Sequence, residues 1–167
     1  MLAGSHIIFA NSLFSNFTEY KISAFILGII SHHLADKLPH IDLNILKTSL
    51  YRDYTFQQFP FRVKLVVFVE LMLGFLFSFY YFVSINKIPS DIFIFLSLGS
   101  LFPDLITIFF KNKLSKISIF NLYFNFHKNF HFKLRKNNLL YFLFILLLQI
   151  IILIFSLIFF KFSLSLR

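Results

Sequence analysis

His32, Asp36 and His40 recur at i, i+4 and i+8. On an α-helix this spacing aligns side chains along one face, although Pro39 is expected to end the helix just before His40. His33 points about 100° away from His32, and Asp42 follows two residues after His40. A second i, i+4 pair, His127 and His131, lies far along the chain, and His6 stands near its start. Glu70 and Asp104 are acids set inside apolar runs. With no Cys in the chain, disulfides, thiolate metal sites and Cys nucleophiles are all excluded. A set of imidazoles and carboxylates suits a divalent metal, Zn²⁺ first, with Mn²⁺ or Fe²⁺ as the other choices.

The elements that must carry these residues are membrane helices. Of the 167 residues, 58% are apolar and 14% charged, against about 45–50% and about 25% in soluble domains. Residues 1–167 form one domain on length alone. Five apolar segments stand out: His6–Phe17, Lys21–Leu38, Val63–Ile85, Asp91–Phe110 and Asn138–Phe160. The first is too short to cross a bilayer alone. Pro103 is expected to kink or end its helix. The 28 Phe residues read as lipid-facing surface and core filler. The expected fold is therefore all-α, an integral membrane bundle of four to five helices. No cleavable signal peptide is expected, because the start lacks both a basic stretch and a small-residue cleavage site.

The net charge of +9 would suggest nucleic acid in a soluble protein. Here the bases lie between apolar runs, so no nucleic-acid partner is expected. The connection before Lys64 carries Lys47, Arg52 and Arg62, and the one from Lys111 to Asn137 holds Lys113, Lys116, Lys128, Lys133, Arg135 and Lys136 without an acid. The positive-inside rule puts both connections in the cytoplasm and the C-terminus outside. Contact with anionic head groups is a further use for the later basic run.

Glu70 lies six residues beyond Lys64, and Asp104 seven before Lys111, so both sit roughly 9–10 Å into their helices. The topology, drawn without them, thus sets every one of these polar residues at the cytoplasmic ends of its helices. A charged side chain in a span costs about 2.5–3.5 kcal/mol, and a shared cation would offset that cost. Buried hydrogen bonds, helix caps and solvated loop positions are the simpler roles open to each residue singly.

The run from Gly28 to Asp42, with His32, Asp36, Pro39, His40 and Asp42 in order, resembles the H-x-x-x-D-x-x-P-H-x-D signature of membrane-bound metal-dependent hydrolases. This broad group of small bacterial membrane proteins is distantly similar to zinc-dependent phospholipase C. Its G-x-x-x-P-D element is matched by Gly99, Pro103 and Asp104, its H-x-x-x-H pair by His127 and His131, its early His by His6, and an acid in the second long span by Glu70. Ile106 stands where better-known members carry a second Asp, and their H-R-G element is absent.

The resemblance implies a hydrolase of a phosphoester such as a phospholipid, working through a metal that lowers the pKa of water. The implied ligand pool is His6, His32, Asp36, His40, Asp104, His127 and His131. Glu70 and Asp36 are the candidates for catalytic acid–base work, with His33 and Asp42 supporting the ligands and Lys111 and Lys113 holding substrate phosphate. Membrane lipid and a divalent metal are the expected partners. If His6 joins the site, residues 6–17 must dip into the membrane and return as the next helix, a short N-terminal hairpin. Two other classes compete. An ion or metal transporter requires polar residues through the full membrane depth, whereas the outer halves of the segments read as almost wholly apolar. A scaffold with a structural polar cluster predicts that His→Ala changes cost stability alone.

Overall fold

A backbone inside a bilayer finds no water, so an apolar run that crosses must satisfy its own hydrogen bonds as a helix. The computed structural model describes residues 3–38, 60–130 and 139–165, and all regular structure among the described residues is helical. The helices are α1 (Ala3–Phe14), α2 (Lys21–Lys37), α3 (Phe61–Ser78), α4 (Ser90–Leu114), α5 (Ser118–Phe130) and α6 (Leu139–Ser165). α3 runs on as a π-helical stretch, Phe79–Ile85. Lys64–Ile85, Ser90–Lys111 and Leu146–Ser165 are long and apolar enough to cross a membrane, as befits an integral membrane protein.

One expectation needs correction. The helices among the described residues number six, not four to five; the additional one is α5, inside the basic connection. Of the two outcomes expected at Pro103, an end to the helix does not occur, since α4 continues to Leu114. Proline removes one helical hydrogen bond, and the long packing of α4 against α2 carries the helix past that loss.

Glycine makes that packing close. A Cβ added at Gly28 would lie 2.8 Å from Gly99 Cα and 2.8 Å from Ser100 N. Gly4 and Gly74 do the same for α1 and α3, where a Cβ on Gly4 would sit 2.9 Å from Gly74 Cα. Close approach of small residues is the usual driver of helix association in lipid.

α1 is short, about 18 Å, and polar, yet it lies in the middle of the bundle. His6, Asn11, Ser12, Ser15 and Asn16 are all buried. With no water to serve them, Ser15 Oγ donates to the Asn11 carbonyl of its own segment, and Ser12, Asn11 and Asn16 also reach neighbouring helices. Gln149 Nε2 donates to Ser5 Oγ at 3.0 Å, Ser156 Oγ to Ser12 Oγ at 3.1 Å, and Asn16 Nδ2 to Ser163 Oγ at 2.8 Å. The α6 members recur every seven residues, the repeat that keeps one stripe facing a neighbouring helix. Asn11 Nδ2 donates to Ser97 Oγ of α4 at 3.1 Å. The apolar core gathers where the π-helical stretch, early α4 and late α6 meet, around Phe82, Ile92, Phe93 and Phe160.

Candidate metal centre

At the end of the bundle away from that core, four helices bring ionisable side chains together. His6 enters from α1, His32 and Asp36 from α2, Asp104 from α4 and His127 from α5. His6 is 1% exposed, and His32 and Asp36 are 0% exposed. His6 Nε2 lies 3.4 Å from Asp36 Oδ1, and His32 Nε2 lies 3.0 Å from Asp36 Oδ2. Asp104 Oδ1 is 3.7 Å from His32 Nε2 and 3.4 Å from His127 Nε2. The His6 and His32 rings stack at 4.2 Å, and His32 and His127 at 5.3 Å.

Local geometry explains the convergence. The i, i+4 relation puts His32 and Asp36 on one face of α2. The Gly28–Gly99 contact draws that face onto α4 one turn before His32. There, His32 Nδ1 donates to the Ser100 carbonyl at 2.7 Å. A carbonyl only accepts, so the proton sits on Nδ1, and Nε2 is turned toward the carboxylates.

The residues fit a divalent metal on two counts. Neither His6 ring nitrogen, nor His32 Nε2, meets hydrogen-bond geometry with a neighbour. His6 Nε2 faces Asp36 at 3.4 Å and His32 Nε2 faces Asp104 at 3.7 Å, longer than the charge-assisted hydrogen bonds of about 2.7–2.9 Å that such pairs otherwise form. Two ligands each about 2.0–2.2 Å from one tetrahedral ion lie about 3.3–3.6 Å apart. Donor atoms of His32, His33, Asp36 and His127 lie within 4.8 Å of one another, as do those of His6, His32 and Asp104. His32 belongs to both groups, and its Nδ1 is committed to Ser100, so Nε2 alone is available to either.

Among the expected ligands, His6, His32, Asp36, Asp104 and His127 are therefore brought together. His33 stands closer than a supporting residue need be, edge-on to His127 at 5.6 Å. His40, Asp42 and His131 lie outside the described residues. Lys111 and Lys113 are exposed at the last turn of α4.

Glu70 takes a different task. Its Oε2 accepts from Gly4 N at 3.0 Å, at the first turn of α1, where backbone N–H groups have no helical acceptor. It belongs to neither group of converging donors. Replacing it with Leu strips Gly4 N–H of its acceptor, and a loss of about 1–3 kcal/mol is expected. Thermal unfolding in detergent should show that loss, while bound metal in the folded fraction stays unchanged. A Glu70→Leu protein that is fully stable but metal-free would return Glu70 to the ligand pool.

Two contributors escaped the sequence reading. Ser100 acts through its carbonyl, which no side-chain motif reports. Tyr123 stacks on His127 at 6.1 Å and 8°; burial, with Asp104 and Asp36 adding their charge, pushes its hydroxyl up to about 12. Its signal was available, since Phe120, Tyr123, Phe124 and His127 share the i, i+3, i+4, i+7 pattern of an inward helical face. The chain matches no known protein family, no curated protein and no solved structure.

Proposed function

We propose that this chain is a membrane-bound, metal-dependent hydrolase of a phosphoester, phospholipid-like in character, with its site at the cytoplasmic face of a bacterial inner membrane. The observation that supports it is the convergence of His6, His32, Asp36, Asp104 and His127 from four helices, their Nε2 atoms turned toward two carboxylates. The basic connections argue for the cytoplasmic side by the positive-inside rule.

His6, His32, Asp36, Asp104 and His127 would hold the ion, with His33 in reach. When bound, a divalent metal supplies a Lewis acid for a phosphoryl oxygen and for water. The chain's own residues do the rest. Ser100 fixes the His32 tautomer, the buried α1 and α2 walls exclude bulk water, and Asp36 or Asp104 accepts a proton from an attacking water. Lys111 and Lys113, exposed at the exit of α4, attract a phosphate group.

The deciding experiment is elemental analysis of detergent-purified protein beside a His32→Ala/Asp104→Ala double variant. Stoichiometric transition metal in the wild type, lost in a folded variant, is expected. A protein that stays metal-free after incubation with Zn²⁺ or Mn²⁺ sinks the proposal. If metal-loaded protein leaves lipid and soluble phosphodiesters intact, the hydrolase reading goes and the metal site stays.

A second reading, an ion or metal carrier, gains from one observation. The sequence left the outer membrane depth apolar, but Asn11 and Ser12 of α1, with Ser15 and Asn16 just past its end, lie inside the bundle, and Asn11 Oδ1 and Asn16 Oδ1 have no hydrogen-bond partner there. Metal flux into liposomes would favour this carrier reading over the hydrolase.

A further inference from the structure

α5 presents three faces, because successive residues turn by about 100°. Phe124 and His127 point inward and are buried. Asn121 and Asn125 are exposed on a polar face. Between them runs an apolar ridge, with Ile119 and Leu122 each 71% exposed and Phe126 45% exposed. The helix begins at Ser118, seven residues after the spanning stretch of α4 ends at Lys111, so it starts close to the membrane surface. Lys111, Lys113 and Lys116, all exposed, line that junction, and no acid occurs between Lys111 and Asn137.

We propose that the Ile119–Leu122–Phe126 ridge seats in the head-group layer of the adjacent leaflet, with Lys111, Lys113 and Lys116 binding its anionic lipids. A helix with separate inward, apolar and polar faces suits the plane of an interface, where the apolar side sinks about 5–10 Å and basic residues meet anionic head groups. The positive charge selects a lipid surface over a second copy of this basic chain. The adjacent, inward face of the same helix sets His127 beside the Asp104 carboxylate, so contact with lipid would hold that side chain in place. This inference rests on the membrane placement and shares Lys111 and Lys113 with the phosphate-holding role proposed above; its test reads lipid contact without metal or turnover.

The chain contains no Trp, so Leu122→Trp gives a single reporter at an exposed position, with Ile119→Trp as a second should the first misfold. The full chain is reconstituted in phosphatidylcholine vesicles with and without phosphatidylglycerol, each bearing shallow brominated lipids. Blue-shifted emission, quenched several-fold more strongly with phosphatidylglycerol and less so as salt rises, is expected. Asn125→Trp, on the polar face, should be quenched least. Changing all three lysines to Gln should erase the phosphatidylglycerol dependence. Three outcomes overturn the proposal: emission typical of water in every vesicle, blue-shifted emission without quenching (a face covered by protein), or quenching indifferent to phosphatidylglycerol and salt.

Discussion

Asp36→Ala is expected to abolish high-affinity metal binding and to remove metal-dependent stability with it. Asp36 is fully buried, and its two oxygens face different histidines, His6 at 3.4 Å and His32 at 3.0 Å. Losing a residue that merely orients a ligand typically costs 10–100-fold in affinity, so losing this carboxylate should cost more than about 100-fold. A ligand present at 100 times its Kd stabilises a fold by about 2.7 kcal/mol. Zn²⁺ should therefore raise the thermal midpoint of the wild type in detergent and leave that of Asp36→Ala unmoved. The discriminating partner is Asp36→Asn, which keeps the shape but removes the charge and turns one acceptor oxygen into an NH2 donor. If the cluster were only structural, Asp36→Asn would unfold close to the wild type and Zn²⁺ would shift neither protein. That pattern would end the metal reading.

Gly99→Leu should be the most damaging single change away from the ionisable residues. A Cβ there meets the Phe25 carbonyl carbon at 3.0 Å and Gly28 Cα at 3.1 Å, backbone atoms that cannot swing aside. Overpacking usually costs about 1–3 kcal/mol and sometimes more, and here the extra bulk must part α2 from α4 along their whole contact. The 2.7 Å His32–Ser100 bond, whose acceptor is the carbonyl of the very next residue, should break with it. Unfolding at a much lower temperature and weaker Zn²⁺ binding are both expected. A Gly99→Leu protein with wild-type stability and metal affinity would show that the close approach does not position the site. Gly99→Ala, whose only added atom is that Cβ, should fall between the two.

The spanning character of α3, α4 and α6 was legible because hydropathy and length are sums over residues, needing no knowledge of neighbours. The absence of Cys settled the donor chemistry just as locally. The i, i+4 pairing of His32 with Asp36 was legible too, since helix geometry alone sets it. α5 was obscured because its short amphipathic pattern lies in a basic stretch, where charge dominates the composition.

Tertiary structure decided the rest. Sequence spacing put Glu70 and Asp104 at similar depth, but depth says nothing about the direction a side chain faces. Helix packing turned Asp104 toward His32 and His127 and left Glu70 against the first turn of α1. The polar content of α1 looked like a weak, short segment until α4 and α6 supplied its hydrogen-bond partners. Which donors converge depends on how closely and at what rotation helices meet, and here pairs of glycines from different helices set that approach.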